Sequence, residues 1–154
     1  MPLLDFLDPQ AVLPALRVSG KKQALQELAA HAARLTGLPE SAVYEALLQR
    51  ERLGSTGIGE GLAIPHGKLP GLNRIFGLMA RLDKPVDFEA LDDQPVDILF
   101  LLLAPEGAGA DHLKALAAIS RLVRHAPTLE KLRGARSGDA LTAVLMGVDE
   151  PFAA

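Results

Sequence analysis

Residues 50–69 read Arg-Glu-Arg-Leu-Gly-Ser-Thr-Gly-Ile-Gly-Glu-Gly-Leu-Ala-Ile-Pro-His-Gly-Lys-Leu. The stretch leaves the basic end of a helical pattern and crosses a run of Gly, Ser and Thr. It then rises through a short apolar segment at 62–64 and delivers Pro65-His66-Gly67. Pro65 fixes its own φ and biases Ile64 toward an extended backbone, which stiffens a strand end. Gly67 is expected to leave one side of the His66 ring uncrowded and its own N–H accessible. An imidazole presented this way, beside hydroxyls and an arginine, suits a nucleophile that accepts a bulky anion. The residues alone also allow a histidine that merely closes a tight strand-end turn.

Working outward from this stretch, helices alternate with strands. Residues 12–18 are apolar but contain Pro14, which suits an edge strand. Ser19 is expected to cap a helix whose apolar residues Leu25, Leu28, Ala32 and Leu35 recur at helical spacing, with Gly37 as its stop. Pro39 opens a second helix that carries Arg50 and Arg52 in its last turn, where the helix dipole favours positive charge. Downstream, 74–82 reads as a strand, 83–95 as an acidic loop, and 96–104 as a strand covered on both faces. Asp111 is expected to cap a third helix, Pro127 to begin a short helical piece, and Ser137 to cap a last helix. The expected architecture is a three-layer α/β/α sandwich with a mixed sheet, one domain over 1–154 with its core at about 12–147.

Composition narrows the function. A chain of 154 residues with 49% hydrophobic residues can bury a real core, and with only 4% aromatics that core must be aliphatic. A net charge of −3 gives no general attraction to nucleic acid or an anionic membrane surface. The absence of cysteine excludes disulfides, thiolate metal sites and a cysteine nucleophile, and fits a cytoplasmic location. The first residues carry Asp5 and Asp8 without a basic region, so no signal peptide is expected. The longest apolar run is too short to span a bilayer, so no membrane insertion is expected.

An imidazole that accepts a bulky anion needs hydrogen-bond donors and positive charge around it. Arg50 offers a planar fork of N–H groups, Ser55 and Thr56 offer hydroxyls, and the backbone at Gly67 offers a free donor. Ser55 and Thr56 also serve the turn as ordinary turn formers. His112 lies at the start of the third helix, where the dipole favours an anion. Asp111 beside it would repel an anion unless it turned back to cap the helix. His31 and His125 lack such surroundings and read as surface residues. No carboxylate spacing suggests a metal site, and no cofactor fingerprint is present, since Gly57-Ile-Gly-Glu-Gly-Leu lacks the long helix and acidic residue of a dinucleotide site.

The 50–69 stretch, together with 88–100 and Asp111-His112-Leu113-Lys114, resembles the mannitol/fructose-type enzyme IIA family of the bacterial phosphoenolpyruvate-dependent phosphotransferase system, nearest its nitrogen-regulatory members. The resemblance covers nearly the whole chain. It implies that His66 is transiently phosphorylated at Nε2, with His112 as a second active-site histidine and Arg50 as the active-site arginine. It further implies a phosphocarrier rather than a small-molecule enzyme, with an HPr-type phosphocarrier as donor. The output would be a regulatory protein target or, alternatively, an enzyme IIB of a sugar-uptake system. A metal-dependent hydrolase built on His66 and His112, or a binding module that has lost its chemistry, are the readings from other classes.

Overall fold

The computed structural model describes residues 2–149. After a single turn at Leu3–Asp5 come β1 (Leu7–Leu16), α1 (Lys21–Thr36) and α2 (Glu40–Arg52). The central stretch supplies three short strands, β2 (Gly57–Gly59), β3 (Leu62–Ala63) and β4 (His66–Leu69). Two long strands follow, β5 (Phe76–Val86) and β6 (Val96–Pro105), and then α3 (Gly109–Ser120), α4 (Ala126–Gly134) and α5 (Gly138–Asp149).

The sheet runs β1-β5-β6-β3-β2, and β4 continues beside β6 beyond β3. It is mixed: β1 is parallel to β5, β5 antiparallel to β6, and β3 and β4 both parallel to β6. Pro65 interrupts β3 and β4, yet its carbonyl still accepts the Leu102 N–H at 2.9 Å, so the pair acts as one bent strand.

Side chains alternate across β6. Leu99, Leu101 and Leu103 face one layer with Leu25, Leu28, Val43 and Leu47 from α1 and α2. Ile98, Phe100 and Leu102 face the other, with Ala115, Ile119, Leu132, Leu141 and Leu145 from α3, α4 and α5. The expected three-layer α/β/α sandwich is the observed one. Its centre is β6, fully buried from Ile98 to Ala104.

Several boundaries differ from those read in the sequence. β1 begins at Leu7 rather than near Val12, because the exposed Asp8-Pro9-Gln10 conceals an early strand that shifts register against β5. It is an edge strand, as Pro14 required. β5 continues to Val86, which pairs with Val96, so the acidic connection is shorter than 83–95. Ser19 is not the cap of α1. Gly20 holds that position, and the Ser19 N–H instead donates to Gln23 Oε1 at 2.6 Å. Gly37 does end α1, at φ 78°, and Ser137 does cap α5 by accepting the Ala140 N–H at 3.1 Å.

Candidate functional site

Three elements meet at the start of β4. His66 pairs with Leu102 and so points toward the α3 layer, while Gly67 pairs with Leu103 and faces α2. The His66 Nδ1–H donates to the Ile64 carbonyl at 2.8 Å. That bond fixes the tautomer and leaves the Nε2 lone pair outward, where it accepts the Arg50 Nε–H at 3.1 Å. Arg50 is itself tethered, since its Nη1 donates to the Gly54 carbonyl at 2.9 Å.

His112 comes from the first turns of α3. Its ring stands edge-on to His66, with centroids 5.5 Å apart. It is 8% exposed, and its Nε2 is buried without a hydrogen-bond partner among the described residues. A buried ring nitrogen left unsatisfied costs about 1–3 kcal/mol.

Both imidazoles titrate below the usual histidine value of 6.5. For His66 burial is the main cause, opposed by the Ile64 hydrogen bond and aided by the Arg50 charge. For His112 burial again leads, followed by the charges of His66 and Lys68. The pocket therefore holds neutral rings at neutral pH, with a nucleophilic nitrogen ready and positive charge beside it.

The other expected residues take different parts. The Ser55 hydroxyl donates to the Phe88 carbonyl at 2.6 Å and accepts the Gly57 N–H at 3.0 Å. The Thr56 hydroxyl donates to Glu51 Oε2. Both hydroxyl hydrogens are thus spent on the turn, which the turn-former reading anticipated. Gly67 does not open space beside His66, because a Cβ there would meet Ala46 Cβ at 3.3 Å. Its smallness instead lets α2, and with it Arg50, close onto the strand.

Asp111 caps nothing. α3 begins at Gly109 with Ala108 as its cap, the His112 N–H already bonds the Ala108 carbonyl, and Asp111 is exposed on the first turn. His31 bonds Arg34 and His125 bonds Thr128, so neither joins the pocket. Sequence reasoning passed over Lys68, which strand alternation places on the His66 face of β4, and Glu51, whose side chain is 6% exposed. Among the described residues no three His, Asp or Glu side chains cluster to hold a metal ion, and no helix is long and apolar enough to cross a membrane.

The family model described as "Phosphoenolpyruvate-dependent sugar phosphotransferase system, EIIA 2" matches residues 5–147. The chain belongs to this enzyme IIA family. A nitrogen regulatory protein of Bradyrhizobium diazoefficiens is 65% identical over 145 residues, covering 94% of this chain and 95% of the relative. Among solved structures, the nitrogen regulatory protein IIA-Ntr from Neisseria meningitidis superposes with a TM-score of 0.86 at 34% identity, covering 92% of this chain and 97% of that one. The Escherichia coli mannitol enzyme IIA, solved in complex with phosphorylated enzyme IIB, shares the fold with a TM-score of 0.76 at 17% identity, covering 92% and 99%. In this enzyme IIA chain, Arg50, His66 and His112 are the side chains that the fold brings together.

Proposed function

We propose that this enzyme IIA is a cytoplasmic phosphocarrier of a nitrogen-type phosphotransferase system. His66 receives a phosphoryl group at Nε2 from an HPr-type phosphohistidine carrier, and the two states of the protein bind a regulatory target differently. The observation that carries this reading is the pair of bonds on the His66 ring, Nδ1–H to the Ile64 carbonyl and Nε2 from Arg50. Together they hold a neutral imidazole with its attacking lone pair aimed outward at a guanidinium.

In the transfer, the Nε2 lone pair attacks phosphorus as the phosphorus–nitrogen bond of the donor breaks. The donor ring leaves with that electron pair as a neutral imidazole, its other nitrogen keeping the proton it already carried. The Ile64 carbonyl stabilises the ring charge that develops at Nδ1–H. Arg50 turns its Nε–H from the ring nitrogen to a phosphoryl oxygen, and the unpaired His112 Nε2 is placed to serve another. Ser55 and Thr56 hold the turn, and Gly67 admits α2. Such chemistry needs positioning and charge more than proton transfer, which fits a site with no carboxylate among the hydrogen-bond partners of its rings.

The partner is a protein. Leu53 follows the last turn of α2 and Leu113 follows His112, and they are 84% and 68% exposed. Large exposed leucines on both site helices suit a docking rim. The 65% identity to a nitrogen regulatory protein favours a regulatory output over sugar uptake. The test is incubation with phosphoenolpyruvate, enzyme I and an HPr-type carrier, followed by intact mass. We expect a gain of one acid-labile phosphoryl group. No gain would refute the reading, and rapid onward transfer to an enzyme IIB would replace the regulatory output with sugar transport.

A further inference from the structure

We propose that Glu51 and Lys21 form an ion pair that positions Arg50 on His66, so that α1 serves the site without touching the phosphoryl group. This rests on the phosphotransfer reading of His66. Glu51 follows Arg50 in α2, with its side chain 6% exposed. Its carboxylate meets three donors. Oε1 accepts the Thr56 N–H at 3.0 Å and lies 3.1 Å from Lys21 Nζ, and Oε2 takes the Thr56 hydroxyl. Lys21, in the first turn of α1, also lies over the Phe88 ring at 5.0 Å from its centroid.

These contacts continue to the reacting atom. Phe88 accepts the Ser55 hydroxyl and Glu51 holds Thr56, so the turn at 54–57 is pinned on both sides. The same turn presents the Gly54 carbonyl that tethers Arg50 Nη1, while Arg50 Nε reaches His66. Lys21 also has an electrostatic task. An unpaired Glu51 would be a buried anion next to Arg50, able to draw the guanidinium away and to oppose an incoming phosphoryl group. A buried carboxylate stripped of its cation is costly, so the loss of Lys21 would push the turn to rearrange.

The test measures phosphotransfer from an HPr-type carrier to wild type, Lys21→Met, Lys21→Arg and Glu51→Gln, with folding checked by circular dichroism. Lys21→Met and Glu51→Gln should lower kcat roughly ten- to a hundredfold, as small displacements of a positioned group do. The KM for the carrier should stay unchanged, and Lys21→Arg should restore most of the rate. Failure of the wild type to be phosphorylated would refute the phosphotransfer reading and this proposal with it. Wild-type kcat in the folded variants, or a change confined to KM, would overturn the proposal. If Lys21→Met does not fold, the isosteric Glu51→Gln decides.

Discussion

His66 has a hydrogen bond at each ring nitrogen, and the two differ in kind. The Ile64 carbonyl acts on the tautomer and Arg50 acts on the lone pair, so removing Arg50 should leave the nucleophile intact but its product poorly held. We expect Arg50→Ala and His112→Ala each to slow phosphorylation, or shorten the life of the phosphoprotein, by about 1.5–3 kcal/mol of lost charge-assisted hydrogen bonding. Rapid-quench labelling reads this, and wild-type rates in both would place the pocket elsewhere. Acid should also act on the same rings. Both histidines titrate below 6.5, so on acidification the unfolded chain takes up protons before the folded one does. Their contribution to stability is then complete above about pH 6.5 and is lost as pH falls through the lowered folded values. Urea midpoints measured across that range should fall for wild type and fall less for a His66→Gln, His112→Gln double variant. At this scale the sequence pointed to Arg50, His66 and His112, and the structure brings these three side chains together. The sequence was not legible for the Ser55 hydroxyl, whose acceptor Phe88 lies 33 residues away, nor for the Glu51–Lys21 pair, which only the meeting of α1 with α2 creates.

Among the elements, β6 bears the fold and β4 carries His66. The apolar run at 96–104 announced a strand covered on both faces, and both helical layers do pack on it. Leu101, fully buried among α1 and α2 side chains, should cost about 2–5 kcal/mol when cut to alanine, measured by urea unfolding. A loss below 1 kcal/mol would contradict the assigned core. Gly67 ties the two strands to function. With Ala46 Cβ only 3.3 Å from where a Cβ at position 67 would stand, Gly67→Val should push α2 outward and carry Arg50 off His66. Phosphorylation should then slow in a protein that still folds, which labelling alongside circular dichroism would detect. The early start of β1 escaped the sequence because alternation fails at Asp8-Pro9-Gln10. The true cap of α3 escaped because Asp111 has the right chemistry but lies inside the helix rather than at its boundary.

For the whole molecule, the sandwich presents His66 at an end of the sheet, between a helix from each layer, so on the proposed reading one face serves donor and target alike. A phosphoryl group adds about two negative charges to that face. A tenfold preference for the unmodified state requires only about 1.4 kcal/mol, within reach of one repulsive contact. Capture of partner proteins by phosphorylated and unmodified protein should therefore differ, and equal capture would count against a regulatory output. The layer order was legible from the alternation of helical and strand patterns, whereas the identity of the target is written on another protein's surface. The geometry of His66 remains the centre of the account, and NMR of the phosphorylated protein tests it most directly. With the imidazole nitrogens labelled, phosphorus coupling should be found at Nε2 of His66, with Nδ1 still carrying its proton toward Ile64. Coupling at Nδ1, or at His31, His112 or His125, would contradict it.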